Sequence, residues 1–280
     1  MNELELKAAQ TLIELALLED VGEGDITTDN IIPAETRRKA KMVAKADGVV
    51  AGLQVAEMVF KSLDPKMSWN VLTPEGSRVK PGDVMVEFEG TYRALLTGER
   101  TALNFLQRMS GIATMSAKYA DVVKDFKTVI LDTRKTLPGF RMLDKYAVKT
   151  GGASNHRIGL YDMAMIKDNH IEVAGGITKA VNAVRSNIKA GTQIEVETTT
   201  LAQVQEAIDA GADIIMLDNM DNETMRKGVE LIAGRAKVEA SGNMTLERLR
   251  EVAATGVDFI SIGALTHSVS ALDISQRLEN

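Results

Sequence analysis

The segment that decides the fold spans residues 193–219 and reads QIEVETTTLAQVQEAIDAGADIIMLDN. It contains two short runs typical of strands, residues 193–196 with alternating apolar Ile194 and Val196, and the apolar residues 214–217, on either side of a stretch whose apolar residues have helical spacing. Strands that alternate with helices along a chain form parallel sheets covered by those helices. The segment therefore predicts one strand–helix–strand unit of an α/β fold.

The chain after residue 127 repeats this pattern. Helical segments separate six apolar or β-branched runs, which occupy residues 128–131, 163–166, 193–196, 214–217, 237–240 and 259–262. An internal repeat supports the pattern, because Thr200-Leu201 and Gly211 recur as Thr245-Leu246 and Gly256. Six such units favour a β/α barrel over an open sheet.

The N-terminal part of the chain mixes helix and strand signals. Leucines at helical spacing predict an opening helix over about residues 4–18, and alternation predicts a strand over residues 38–46. A predicted helix over residues 55–63 and a predicted strand near residues 69–72 follow. This order indicates a mixed α/β region ahead of the barrel.

Two further expectations concern the segments that lead into the barrel. Residues 77–80 and 84–89, joined by Pro81-Gly82, predict a β-hairpin, since proline and glycine suit the central positions of a turn. This turn also resembles that of a lipoyl or biotinyl carrier module, but no second hairpin offers an acceptor lysine. Residues 93–126 have a helical pattern that we expect to break at Ser110-Gly111.

The composition excludes several classes of protein. The 280 residues are 45% hydrophobic and 26% charged, which is typical of a globular protein, and the net charge of -6 argues against general nucleic-acid binding. Cysteine is absent, which excludes disulfides, cysteine–zinc sites and a thiol nucleophile. No apolar run approaches the ~18 residues that cross a bilayer, and the N-terminus lacks a basic start. We therefore expect a cytoplasmic protein that spans no membrane.

The carboxyl ends of the predicted strands carry charged and polar side chains, and active sites of β/α barrels lie at this end. Because side chains alternate along a strand, Glu195 and Glu197 share one face, opposite the face of Ile194 and Val196. The same spacing occurs in three further pairs: Asp132 and Arg134, Met216 and Asp218, and Glu239 and Ser241. A structural ion-pair network explains a single position such as Glu195 or Asp132 equally well, but it does not explain the whole set.

The types of residue at these strand ends indicate a site for an anion and a cation. Arginine forks bind carboxylates in a bidentate manner, so a small polyanion is expected at the basic set Arg134, His156, Arg157 and Lys167. Glu197 and Asp218 favour a hard cation such as Mg²⁺. Backbone amides at Ser241-Gly242-Asn243 and Gly263-Ala264 are expected to hold a phosphate.

Other histidines and methionines indicate structural roles. His170 follows a predicted strand end, where a structural hydrogen bond explains it as well as a ligand role does. The 3 histidines are too few and too dispersed for a zinc site. Met163 and Met165 are expected to fill the core.

Seven motifs of the chain, in their order, resemble those of the quinolinate phosphoribosyltransferase family, also called nicotinate-nucleotide pyrophosphorylase (carboxylating). The matching segments are Gly24-Asp25-Ile26-Thr27-Thr28, Gly98-Glu99-Arg100-Thr101-Ala102-Leu103-Asn104, Asp132-Thr133-Arg134-Lys135-Thr136, Gly151-Gly152 with Asn155-His156-Arg157, Ile166-Lys167-Asp168-Asn169-His170, Glu195-Val196-Glu197 and Leu217-Asp218-Asn219. The resemblance spans nearly the whole chain.

The resemblance implies a fold, an assembly and a reaction. The fold would be a mixed α/β domain over residues 1–110 and an incomplete, mostly parallel α/β barrel over 111–267, with a helix at about 268–280 that packs back on the first domain. The assembly would be a homodimer or a multiple of dimers. The reaction would join quinolinate to phosphoribosyl pyrophosphate, giving nicotinate mononucleotide, pyrophosphate and carbon dioxide in de novo NAD synthesis.

The resemblance also implies roles for individual residues. Quinolinate carboxylates would be held by Arg134, His156, Arg157 and Lys167. Lys135, Glu197 and Asp218 would be the catalytic residues, with Lys135 at the phosphoribosyl donor and the two acids serving magnesium and ribose. Arg100 would reach the site of the neighbouring subunit. Asn243 departs from the family pattern, because a second glycine is expected in the phosphate loop at that position.

Two other functions remain open from the residues. A related enzyme could use the same scaffold on another acceptor, as does the family member associated with molybdenum transport, although the full basic set favours quinolinate. A non-catalytic sensor of phosphorylated sugars is the second alternative. Glu197 and Asp218 argue against a sensor, because a pure anion binder gains little from carboxylates in its site.

Overall fold

A computed structural model describes residues 1–279 of the chain, which divide into two compact units. The first unit consists of Met1–Ala117, Thr136–Gly152 and the described residues from Leu265 onward, and the second of Lys118–Lys135 and Ala153–Ala264. The predicted domain bounds of 1–110 and 111–267 remain a prediction. Among residues 1–279, no helix is both long enough and apolar enough to span a membrane.

The elements alternate between helix and strand through most of the chain. The helices are α1 (Glu3–Val21), α2 (Thr28–Ile31), α3 (Leu53–Leu63), α4 (Tyr92–Val123), α5 (Arg141–Thr150), α6 (Asp168–Ala174), α7 (Ile177–Asn187), α8 (Leu201–Asp209), α9 (Asn222–Ile232), α10 (Leu246–Ala253) and α11 (Ala264–His267). The strands are β1 (Arg37–Ala44), β2 (Gly48–Val49), β3 (Ser68–Val71), β4 (Arg78–Val79), β5 (Val84–Thr91), β6 (Val129–Leu131), β7 (Ala164–Ile166), β8 (Ile194–Thr198), β9 (Ile214–Asp218), β10 (Lys237–Ser241), β11 (Phe259–Ser261) and β12 (Ile274–Leu278).

The first unit is built on an antiparallel sheet of order β12-β1-β5-β3. Three aromatic rings pack together in this unit, those of Phe60 in α3, Trp69 in β3 and Phe88 in β5, with centroids 4.9–6.0 Å apart. Such tilted aromatic contacts add to the stabilisation that burial of the rings provides. The predicted mixture of helices and strands is confirmed for this unit.

The predicted hairpin around Pro81-Gly82 is wrong. Strand β4 pairs with β2, whereas both edges of β5 are occupied, one by β1 and the other by β3. The turn itself forms, but its hydrogen bonds lead to the end of β1, since Gly82 N donates to Ala44 O at 2.8 Å. A turn signal marks a reversal of the chain and does not say which strands will pair.

The predicted break at Ser110-Gly111 is also wrong, because α4 runs unbroken for 32 residues. Ser110 Oγ instead accepts a hydrogen bond from Ala51 N at 3.0 Å. A Cβ at Gly111 would lie 3.1 Å from the Cα of Ala271. Because Ser110 and Gly111 are small, other backbone segments can approach the helix closely here. Glycine inside a helix can therefore mark a close approach of backbone as well as a break.

The helix predicted for about residues 268–280 is wrong for the described part of that range, and residue 280 lies outside the described residues. Residues Ile274–Leu278 form β12, which pairs antiparallel with β1 from Ile274↔Ala44 to Leu278↔Ala40. The edge of β1 away from β5 has backbone groups that need partners, and an added strand supplies them.

The second unit contains six parallel strands in the order β6-β11-β10-β9-β8-β7. β6 and β7 are the two ends of this sheet, so the barrel is incomplete, as the resemblance implied. Alternate residues such as Ile194 and Val196, which are fully buried, form the apolar side of a strand. All six strand predictions are confirmed to within a few residues, and the carboxyl ends of the strands carry the candidate site.

Candidate active site

A cavity of about 320 Å³ opens at the carboxyl ends of the strands in the second unit. Its lining residues are Thr133, Arg134, Lys135, His156, Arg157, Met165, Lys167, Glu197, Met216, Asp218, Glu239, Ser241 and Ser261. Eight of these were predicted as site residues: Arg134, Lys135, His156, Arg157, Lys167, Glu197, Asp218 and Ser241. The cavity thus brings together predicted site residues from separate strands and loops.

Arg157 lies on one wall of the cavity and is held by the strand that follows it. Its Nη1 donates to Met163 O at 3.1 Å, and its Nη2 lies 3.6 Å from the sulfur of Met165. Burial lowers the pKa of Arg157, and the positive charge of Arg134 nearby lowers it further. These two partly buried guanidinium groups each disfavour the charge of the other. A bound anion would offset this repulsion, so the pair forms a candidate anion site.

His156 lines the cavity and lies against two fully buried carboxylates, those of Glu195 and Glu239. Its Nε2 is 2.9 Å from Glu195 Oε2 and 3.4 Å from Glu239 Oε2. Burial alone would lower the pKa of His156, but the two carboxylates outweigh burial and raise the pKa to about 10. Burial likewise raises the pKa of Glu195 to about 7, against the opposing effect of His156.

Both ring nitrogens of His156 have protein partners. In the neutral ring Nδ1 accepts a hydrogen bond from Arg157 N at 2.8 Å, and protonation favoured by the two carboxylates would end this bond, because Nδ1 would then carry a proton. In either state Nε2 carries a proton, and the nearest acidic groups to it are those of Glu195 and Glu239. His156 therefore lines the cavity with its ring, while its nitrogen atoms contact Arg157 N and the two carboxylates.

Asp132 has a structural role beside this histidine. Its buried carboxylate accepts a hydrogen bond from His156 N at 2.8 Å, and its own N donates to Ser154 O at 3.1 Å. The loop that carries His156 and Arg157 is thereby fixed to the end of β6. Of the two explanations that the sequence left open for Asp132, the structure supports the structural one.

The two predicted metal ligands lie on neighbouring strands. Glu197 of β8 forms an ion pair with Lys167 at 2.6 Å, because the register that pairs Ile166 with Val196 also places the following residues side by side. Asp218 ends β9 and is paired in register with Ser241 of β10. Both carboxylates are partly exposed and line the same cavity, so their oxygens are accessible to a hard cation.

The remaining predicted residues occupy two loops and two helices, since Ala264 begins α11 and Arg100 lies on α4. Gly242 and Asn243 directly follow β10, and Gly263 and Ala264 follow β11, although none of the four lines the cavity itself. Asn243 adopts a φ of 50°, a left-handed conformation that asparagine tolerates better than most residues. Arg100 lies exposed on α4 in the first unit and is not among the lining residues.

Five lining residues were missed as site residues: Thr133, Met165, Met216, Glu239 and Ser261. Met165 was expected to fill the core, yet it lines the cavity and contacts Arg157. Met165 lies two residues before Lys167, on the same side of the strand, but the sequence does not separate a methionine that lines a cavity from one in the core. His170, by contrast, has a structural hydrogen bond, since its Nδ1 accepts from Lys167 N at 3.0 Å.

Comparison with known proteins decides the family. The family model described as quinolinate phosphoribosyl transferase, C-terminal domain, matches residues 112–277, and the corresponding N-terminal domain model matches residues 25–110. The chain belongs to the quinolinate phosphoribosyltransferase family. The resemblance of the seven motifs is confirmed by this match, which includes the segments that form the cavity.

Members of the quinolinate phosphoribosyltransferase family from several bacteria are similar to the chain. A protein of Synechocystis named probable nicotinate-nucleotide pyrophosphorylase [carboxylating] is 48% identical over 94% of this chain and 90% of its own length. A Bacillus subtilis protein of the same name is 46% identical over 98% and 94%. The crystal structure of NadC from Streptococcus pyogenes superposes with a TM-score of 0.94 at 41% identity, covering 96% of each chain.

Proposed function

We propose that the cavity of the second unit is the site at which this chain transfers the phosphoribosyl group of phosphoribosyl pyrophosphate to quinolinate, with release of carbon dioxide. The products are nicotinate mononucleotide and pyrophosphate, which makes the reaction a step of de novo NAD synthesis. The observation that carries the proposal is one cavity lined by Arg134, Arg157 and Lys167 and also by Glu197 and Asp218.

The basic residues suit the acceptor. Quinolinate carries two carboxylates on adjacent carbons of a flat ring, and guanidinium groups bind carboxylates through two parallel hydrogen bonds. Arg134 and Arg157 line the same cavity together with His156, which the resemblance also assigns to the carboxylates, and with Met165, which adds apolar surface. Lys167 would leave its ion pair with Glu197 in order to meet a carboxylate.

The acidic residues suit a donor that carries magnesium. Glu197 and Asp218 supply oxygen ligands of the kind that Mg²⁺ prefers, together with donor phosphate oxygens and water. Bound magnesium would neutralise charge on the pyrophosphate leaving group. Lys135, exposed at the cavity, adds a positive charge, and the amides of Ser241, Gly242, Asn243, Gly263 and Ala264 are proposed to hold the 5-phosphate.

The chemistry requires little beyond positioning and charge. The ring nitrogen of quinolinate attacks C1 of ribose while the bond from C1 to pyrophosphate breaks through an oxocarbenium-like state, which carboxylates nearby stabilise. The ring nitrogen is now cationic. The bond to the 2-carboxylate then breaks, its electron pair stays on ring carbon 2 beside that cation, and carbon 2 takes a proton from water.

The proposal includes the assembly and the location. Arg100 is exposed on the first unit, and the proposal assigns it to the cavity of a partner subunit within a homodimer or a multiple of dimers. A cytoplasmic location accords with the cysteine-free composition.

Product stoichiometry tests the proposed reaction. The purified chain, supplied with quinolinate, phosphoribosyl pyrophosphate and Mg²⁺, is expected to form nicotinate mononucleotide and carbon dioxide in equal amounts. Nicotinate replaces quinolinate in the control reaction, where little product is expected because the second carboxylate is missing. Equal or faster turnover of nicotinate, with no carbon dioxide formed, would contradict the proposal.

A further inference from the structure

Two residues at adjacent strand ends beside the cavity have unusual backbone conformations. Within residues 1–279 a positive φ occurs at three non-glycine residues, and two of them are Asn219 after β9 (φ 53°) and Asn243 after β10 (φ 50°). The third, Ala233, ends α9. Left-handed backbone is disfavoured for L residues, so two instances at neighbouring strand ends indicate a local requirement.

The side chain of Asn219 connects the two loops. Its Nδ2 donates to Asp218 Oδ2 at 2.6 Å, and its Oδ1 accepts from Asn243 Nδ2 at 3.4 Å. The orientation of the amide follows from the chemistry, because a carboxylate can only accept and must therefore face the NH₂ group. Asn219 N also donates to Ser241 O at 3.0 Å, so backbone and side chain both reach the β10 loop.

Gly242 shows how closely the Asn219 amide fits this loop. A Cβ at position 242 would lie 2.6 Å from Cγ of Asn219 and 3.0 Å from its backbone N, and Gly242 itself has a φ of 92°. No side chain fits between the two loops. The side-chain amide of Asn219 thus packs directly on the backbone that is proposed to bind phosphate.

We propose that Asn219 is a positioning residue that sets the distance between the Asp218 carboxylate and the phosphate loop 241–243, and so determines the fit of the donor. The inference rests on the proposed function, which places magnesium and ribose at Asp218 and the 5-phosphate at the loop. The donor carries charged groups at both C1 and C5 of one ribose. A residue that fixes the spacing of their two subsites therefore acts on donor binding and not on quinolinate.

The contacts around Asn219 distinguish a positioning role from a purely structural one. Asn219 is exposed and adds little to the core, and Arg248 already ties the two loops together, since it donates to Gly242 O at 3.2 Å and to Met220 O at 2.7 Å. Loss of the Asn219 side chain should therefore leave the fold intact. What it removes is the orientation of Asp218 and the support under Gly242.

The test is the variant Asn219→Asp, with Asn222→Asp as a matched control. Aspartate keeps the size and tolerates the left-handed backbone, but it places a carboxylate against Asp218. In the control the same change places a carboxylate against Glu251, whose Oε2 now accepts from Asn222 Nδ2 at 2.9 Å outside the cavity. The measurements are KM for phosphoribosyl pyrophosphate at saturating Mg²⁺, the quinolinate Kd by titration, and Tm.

Asn219→Asp is expected to raise the donor KM by about tenfold or more, as for loss of a hydrogen bond to a charged group. The quinolinate Kd should change by less than about twofold, and neither value should change in Asn222→Asp. Asn219→Gly, which relieves the backbone strain but removes both side-chain contacts, should also raise the donor KM. An unchanged donor KM, or an equal loss of quinolinate affinity, would overturn the inference.

The same experiment separates this inference from the proposed function. A wild-type chain that releases no carbon dioxide in the presence of quinolinate and donor would refute both. A wild-type chain that is active, with Asn219→Asp and Asn219→Gly that bind the donor equally well, would refute only the role of Asn219.

Discussion

Arg157 shows at the scale of one residue why charge alone does not define the acceptor site. Its guanidinium is fixed by Met163 O and by the sulfur of Met165, so that the planar fork has one orientation in the cavity. Lysine at this position keeps the charge but loses the fork and both of these contacts. The geometry of the N–H groups of Arg157, as well as their charge, is therefore expected to matter for quinolinate binding.

Arg157→Lys is expected to weaken quinolinate binding by about tenfold or more, because lysine keeps the charge but cannot form the bidentate contact, and a loss of about 1.4 kcal/mol is tenfold. Titration of quinolinate into the variant measures the effect. Arg226→Lys, at an exposed position on α9, is the control and should bind quinolinate as the wild type does. Unchanged affinity in Arg157→Lys would remove this residue from the acceptor site.

Glu239 is predicted to control the pKa of His156. Glu195 and Glu239 together raise the pKa of His156 to about 10 against the effect of burial, so Glu239→Gln should lower this pKa while burial persists. Chemical shifts of the imidazole nitrogens across a pH series report the change. A pKa of His156 that is the same in Glu239→Gln and in the wild type would contradict the assignment.

The raised pKa of His156 is expected to make the stability of the fold depend on pH. A histidine with a raised pKa stabilises the fold fully below its unfolded value of about 6.5, and that contribution disappears as pH rises toward about 10. The free energy of unfolding of the wild type should therefore fall over this interval, and it should fall less in Glu239→Gln. Denaturant titrations at several pH values test the sign.

Individual site residues could be predicted from sequence where strand alternation applied. Arg134, Lys167, Glu197 and Asp218 were found because each follows or ends a short apolar strand. Met165 and the role of Asn219 were not found, because an apolar residue in a cavity has the same pattern as one in the core. A left-handed φ also leaves no periodic signal. These properties depend on contacts between strands that are distant in sequence.

At the scale of elements, α4 provides a test in which two effects have opposite signs. Helix propensity favours alanine over glycine by about 1 kcal/mol, so Gly111→Ala would stabilise an isolated helix. The structure predicts the reverse, because the added Cβ would lie 3.1 Å from the Cα of Ala271, and that backbone cannot move as freely as a side-chain end. Gly111→Ala is therefore expected to lower the free energy of unfolding by about 1–3 kcal/mol.

Gly228→Ala in α9 is the matched control for this change. There the added Cβ would meet only the ends of side chains, Leu217 at 3.2 Å and Leu201 at 3.9 Å, and the Leu217 side chain can shift by a few tenths of an ångström. Denaturant unfolding of both variants decides between the effects. A more stable Gly111→Ala protein would mean that the approach of residues 270–271 does not constrain the helix.

The elements that were wrongly predicted share one cause. The hairpin at Pro81-Gly82 and the break at Ser110-Gly111 were inferred from local signals, and the C-terminal helix from the resemblance. In all three, pairing with β1, β3 or another backbone segment determined the outcome. The parallel strands of the second unit were predicted correctly, since each strand and its following helix form a local unit. The choice of partner along each edge of a strand depends on the whole sheet.

At the scale of the whole molecule, the proposed dimer gives each subunit a residue from its partner. Arg100→Ala and Arg134→Ala are each expected to be nearly inactive. In a heterodimer of the two variants, one of the two sites would combine an intact Arg134 with an intact Arg100 from the other subunit. Random exchange of equal amounts should restore up to about a quarter of the wild-type sites.

The measurement is to refold the two inactive variants together, verify heterodimers by mass and assay the mixture. Each variant refolded alone is the control for recovery of activity during refolding. Verified heterodimers with no more activity than the parents would show that Arg100 does not act across the subunit interface.

The fate of labelled carboxyl carbon tests the central claim, that the cavity of the second unit couples ribosylation of quinolinate to loss of one carboxylate. Quinolinate labelled at the 2-carboxylate should release labelled carbon dioxide only when phosphoribosyl pyrophosphate is present. Quinolinate labelled at the 3-carboxylate should instead leave its label in the nucleotide. Release from the 2-carboxylate without the donor, or no release with it, would contradict the account.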